Sequence, residues 1–116
     1  GVQTCALPIC MAEIADGFVV LPGGFGTLDE VFEILTWNQL GLINKPVVFL
    51  NIAGFYEPLL TMIDHMVRSG FVNPTFRSLV MVADDARRAV ELATGPAPSV
   101  EGKLRDLDVT AKRSSL

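Results

Sequence analysis

An apolar run, Phe18-Val19-Val20-Leu21, breaks at Pro22 into Gly23-Gly24-Phe25-Gly26 and resumes as Thr27-Leu28-Asp29-Glu30. A short strand that ends in glycines and turns directly into a helix leaves few folds open. Without side chains, the glycines let backbone N–H groups approach an anion, and the new helix points its positive end at that anion. This stretch therefore reads as a phosphate cradle.

The rest of the pattern supplies the sheet around it. Three continuous apolar runs, Phe18–Leu21, Pro46–Asn51 and Leu79–Val82, read as strands covered on both faces. Helical periodicity fills the gaps. One helix is expected over 28–40, with Leu28, Val31, Ile34, Leu35 and Leu40 near one face and Gly41 in the stop position. A second is expected over 57–69, with Pro58 in its first turn, Gly70 after its end, and a stripe of Leu59, Met62, Ile63, Met66 and Val67. A shorter third spans 85–93. Strand–helix alternation of this kind builds an α/β fold, a parallel sheet with flanking helices and right-handed crossovers. Ligands of such sheets gather at the carboxyl ends of strands, where the Gly23 loop falls.

Three strands leave edges and a face uncovered, so residues 11–94 read as the C-terminal portion of a larger domain. Residues 1–9 match the translation of read-through from a common sequencing adapter, which makes 1–10 a foreign leader or else a disordered one. Past Thr94, Gly95-Pro96-Ala97-Pro98-Ser99 breaks the pattern, and 95–116 is expected to be a disordered tail.

At 116 residues the chain is one domain or less, and half of it is hydrophobic. No apolar run approaches the roughly 18 residues of a membrane span. A formal charge of −4 argues against a nucleic-acid partner. Cys5 and Cys10 are the two cysteines, too few for a disulfide framework or a zinc site. With no secretory signal in view, a cytoplasmic location is expected.

Within the loop, Thr27 and Glu30 have the spacing of a capping box, a purely structural arrangement worth about 1 kcal/mol. Capping does not need three glycines, which favours an anion site. Two nucleotide motifs are excluded. A P-loop needs a lysine after its glycines, and none follows Gly26 before Lys45. The G-x-G-x-x-G pattern fails because Asp29 stands where its third glycine belongs.

The string Pro-Gly-Gly-Phe-Gly-Thr-Leu-Asp-Glu, residues 22–30, resembles the P-G-G-x-G-T-x-x-E signature of the LOG ("Lonely guy") proteins. These are cytokinin riboside 5′-monophosphate phosphoribohydrolases, many of them long labelled lysine decarboxylases. The similarity continues through Thr36-Trp37-Asn38-Gln39-Leu40-Gly41, Lys45-Pro46, Asn51, Gly54-Phe55-Tyr56 and Gly70-Phe71-Val72, covering about residues 11–94. It implies a Rossmann-like fold and hydrolysis of the N-glycosidic bond of a nucleoside 5′-monophosphate, AMP or an N6-prenylated AMP. The products would be free base and ribose 5-phosphate. Gly23, Gly24, Gly26 and Thr27 would hold the 5′-phosphate and Glu30 would be the catalytic carboxylate, kept ionised by the helix dipole of a first turn. The resemblance implies no metal or redox cofactor, no membrane, and a homodimer at full length.

One departure matters. The family carries an Arg-Lys-x-x-Met element whose arginine is the second catalytic residue. With Met11 as that methionine, the arginine and lysine positions fall on Leu7 and Pro8. The chain as written is therefore expected to be inactive, and a nucleotide-binding module without catalysis is the alternative. Lysine decarboxylation is disfavoured, because Lys45 before Pro46 opens a strand rather than presenting a Schiff-base amine. Among other residues, His65 reads as a helical surface side chain, Asp84 and Asp85 as caps, and Arg68, Arg87 and Arg88 as a solvated face. Trp37 and Phe32 suit either the core or a dimer contact. Tyr56 suits either a pocket or packing.

Overall fold

The computed structural model describes residues 8–102. Its elements run α1 (Pro8–Ile14), β1 (Phe18–Val20), α2 (Phe25–Leu40), β2 (Val47–Leu50), a 3₁₀ turn (Ile52–Gly54), α3 (Glu57–Arg68), a 3₁₀ helix (Pro74–Leu79), β3 (Val80–Ala83) and α4 (Ala86–Ala93). The strands form one parallel sheet in the order β1-β2-β3. Phe18 lies beside Val47, and Val47 beside Val80, so all three carboxyl ends share one rim. Rossmann-like α/β architecture follows, with helices on both faces of the sheet.

Period-two alternation divides the core. Val47 and Phe49 face one way and pack with Val20, Val31, Ile34 and Tyr56. Val48 and Leu50 face the other way and pack with Ala83, Ala89 and Ala93. Because β2 is central, all four of its side chains are buried, which is why its sequence shows no polar alternation. On α3 the buried residues are Leu60 and Ile63, while Met62 is exposed, so the inward stripe is rotated from the one expected.

Helix ends follow their local chemistry. Gly41 closes α2 in the left-handed region, at φ 79°, as its position predicts. The Gly41 N–H reaches the Asn38 carbonyl at 3.1 Å and the Leu42 N–H reaches Trp37 at 2.9 Å, a Schellman-type ending. Buried Asn38 then ties α2 to the approach of β2: its amide donates to the Lys45 carbonyl and accepts from the Lys45 N–H, both at 3.0 Å. Lys45 itself points its amine at the Ala12 carbonyl of α1. The strand boundaries differ from the apolar runs by a residue or so at each end, within the usual uncertainty of assignment.

One expectation fails here. Helix α1 has no counterpart among the expected elements. Cys10, on that helix, is disulfide-bonded. The leader and tail expectations fall largely outside the described residues. Pro8–Cys10 belong to α1, and residues 95–102 carry neither helix nor strand. Gly102 is buried against the Gly41 backbone. Among the described residues no helix is long and apolar enough to cross a membrane.

Candidate active site

Strand β1 ends at Val20, and after four intervening residues α2 begins at Phe25. That start is three residues earlier than the sequence pattern suggested. The N-cap is Gly24, which offers no side-chain hydrogen bond, and Thr27 is the third residue of the helix rather than its cap. The capping box is thereby ruled out. The first intrahelical bond runs from the Leu28 N–H to the Gly24 carbonyl at 3.1 Å. Helix geometry leaves the preceding N–H groups without intrahelical acceptors, and here no capping side chain takes them.

The glycines act through space rather than through backbone angle. Left-handed glycines in the described residues are Gly41, Gly54 and Gly70, and the loop glycines are not among them. A Cβ on Gly23 would sit 2.3 Å from the Thr27 hydroxyl oxygen, so the loop must be bare there for Thr27 to fold against it. Gly24 and Gly26 are exposed, and a Cβ on either would meet nothing within 4 Å. They leave open ground over the start of the helix. Between them Phe25 stands 96% exposed, so its ring does not cover the amides by packing into the core.

Below this lies a cavity of about 230 Å³ lined by Met11, residues 18–21, Thr27, Glu30, Val31, Ile34 and Val47. Thr27 and Glu30 are its polar side chains. Three residues apart on one helix, they share a face, and the rest of the lining is apolar. The structure thus brings two of the five predicted site residues, Thr27 and Glu30, to one cavity. Gly23, Gly24 and Gly26 are not part of its lining and stand at the loop and helix start beside it. Glu30 is the sixth residue of α2, and no acidic residue occupies the first turn. The dipole effect fades beyond that turn, so the expected dipole support for Glu30 is not available.

Two contributors were missed or left open by sequence reasoning. Met11 reaches the cavity from α1, an element the periodicity did not reveal. Tyr56 does not line the cavity. It is 2% exposed, stacks edge-on against Phe49 with ring centroids 5.0 Å apart, and donates its hydroxyl to the Leu21 carbonyl. Desolvation raises its phenol pKa above the ordinary value, keeping the hydroxyl a donor. Its alternative is settled in favour of packing, with a polar tie to β1. Trp37 and Phe32 are both half-buried, Trp37 against the core cluster containing Phe49. His65, Arg68, Arg87 and Arg88 are exposed, as read.

The family described as "Possible lysine decarboxylase" matches residues 9–93. A cytokinin riboside 5'-monophosphate phosphoribohydrolase of Rhodococcoides fascians is 49% identical over 86 residues, which are 74% of this chain and 43% of that protein. Cytokinin riboside 5'-monophosphate phosphoribohydrolase LOG3 of Arabidopsis thaliana is 45% identical over 91 residues, 78% of this chain and 42% of its own length. The corresponding LOG protein of Oryza sativa subsp. japonica is 49% identical over 80 residues, 69% of this chain and 33% of its length. The chain therefore spans well under half the length of these curated relatives. By the breadth of the family match and by this identity, the chain belongs to the family described as "Possible lysine decarboxylase", which includes the LOG phosphoribohydrolases.

Proposed function

We propose that this chain carries the phosphate seat and the catalytic carboxylate of a nucleoside 5′-monophosphate phosphoribohydrolase. In this reading Gly23, Gly24, Gly26 and Thr27 hold the 5′-phosphate through the free amides at the start of α2 and the Thr27 hydroxyl. Glu30, one turn further along, faces the ribose. The reaction breaks the C1′–N bond, and the electron pair leaves on the base, which gains a proton. Water supplies the new hydroxyl at C1′. Positive charge builds on the sugar as the bond breaks, and a carboxylate beside it stabilises that charge or takes the proton of the attacking water. The substrate is AMP or an N6-prenylated AMP.

The observation that carries this reading is the joint placement of Thr27 and Glu30 in one cavity below an uncapped helix start. It is supported by relatives named for cytokinin riboside 5'-monophosphate hydrolysis. In a chain extended to the length of its relatives, Glu30→Gln should lower kcat by about 10²–10³-fold while AMP still binds. Unchanged turnover would reduce Glu30 to a structural residue.

A second reading has its own observation. With Met11 taken as the methionine of the family's Arg-Lys-x-x-Met element, the arginine and lysine positions fall on Leu7 and Pro8. On that ground the 116-residue chain binds nucleotide without hydrolysing it. Ribose 5-phosphate release by the purified chain would overturn this.

A further inference from the structure

We propose that Tyr56 is a positioning residue for the phosphate seat, holding the exit of β1 through the Leu21 carbonyl. The inference rests on the reading of the Gly23 loop given above and deepens it. The glycine loop has little of its own to hold it: Gly24 makes no cap, and bare positions leave no side chains to pack. Its fixed points are the ends of the segment. At the start, Leu21 is 59% exposed, so burial does not anchor it, yet its carbonyl accepts the Tyr56 hydroxyl. Leu21 is followed directly by Pro22 and the glycines.

Tyr56 is in turn fixed more firmly than packing requires. Its ring meets Phe49 and Phe55 edge-on, with centroids 5.0 and 4.9 Å away. Its N–H donates to the Asn51 side-chain oxygen at 2.8 Å. Asn51 is buried, and its amide donates to Glu57 Oε1 at 2.8 Å. The Asn51 N–H is bonded to the Ala83 carbonyl of β3, also at 2.8 Å. A brace thus runs from β3 through Asn51 and Tyr56 to Leu21, joining the carboxyl ends of all three strands. Displacing reacting groups by about 1 Å can cost 10²-fold in rate, so a brace that sets where the loop leaves β1 has leverage on the amides of Phe25, Gly26 and Thr27.

Tyr56→Phe removes the hydroxyl and keeps the ring, so the fold should survive. Val48→Ala is the control: Val48 is fully buried in the cluster on the opposite face of the sheet and should lower Tm without touching the loop. Two quantities are read on the 116-residue chain: backbone order parameters across residues 22–27 by NMR, and the Kd for AMP. The expected result for Tyr56→Phe is lower order confined to the loop and AMP binding weakened about fivefold to tenfold. Val48→Ala should change neither. Loop order and AMP affinity in Tyr56→Phe equal to wild type would overturn the proposal, as would the same losses in Val48→Ala. Failure of wild type to bind AMP would overturn the underlying reading first, and loop order would still decide whether the brace exists.

Discussion

Helices α2 and α4 begin at the same rim of the sheet, each just after a parallel strand, and they treat their first N–H groups in opposite ways. At α4 the Asp85 side chain folds back and accepts the Arg88 N–H at 2.8 Å. One N–H of that end is taken from within, and the capping carboxylate would repel an anion. At α2 the equivalent position is Gly24, with no side chain to give, and the neighbouring Gly26 keeps the approach open. One helix has its N-terminus capped by its own side chain and the other leaves it without a side-chain cap. The difference is chemical, since both helices have the same sense relative to the sheet. A capping side chain is worth about a few tenths of a kcal/mol over glycine, so a bare Gly24 costs α2 little stability.

The comparison can be broken at several points. Gly23→Ala should have the largest effect, because the new methyl would lie 2.3 Å from the Thr27 hydroxyl oxygen. Displacing Thr27, whose β-branched side chain has little room to rotate in a helix, should lower stability by about 1–3 kcal/mol. AMP binding should fall more than about tenfold with it, as titration calorimetry against a melting curve would show. Gly24→Asp would give α2 the cap that α4 has. It should raise stability by a few tenths of a kcal/mol and weaken AMP binding by about tenfold, because a carboxylate then occupies and repels. Affinity retained in this variant would mean the phosphate does not sit there. The smallest effect is expected for Asp85→Ala, which should cost about 1 kcal/mol in chemical denaturation and leave AMP affinity unchanged.

Much of the fold could be read because buried parallel strands advertise themselves. Val47–Leu50 is a continuous apolar run because both of its faces are covered, and the glycines at 41 and 70 mark helix ends by taking positive φ. The third helix and its cap at Asp85 followed from ordinary capping chemistry. What escaped was whatever depends on partners distant in sequence. The start of α2 was placed three residues late because Thr27 and Glu30 imitate a capping box, whereas the chain uses Gly24. Helix α1 is short and lacks a clear polar–apolar period, so Met11 could not be placed at the cavity. The role of Tyr56 depends on a bond to a residue 35 positions away, and no local pattern encodes such a link. Of the site, the residue types and their order were legible. Their division between cavity wall and open loop was not, since that depends on where the helix begins.

We propose that the first amides of α2 form an anion seat for a nucleotide phosphate. Titrating the 116-residue chain with AMP, with adenosine as the phosphate-free comparison, while following backbone amide resonances, tests it most directly. Saturable shifts are expected at Gly24, Phe25, Gly26 and Thr27 with AMP and none there with adenosine. Shifts that are equal for the two ligands, or that cluster at the start of α4 instead, would contradict it.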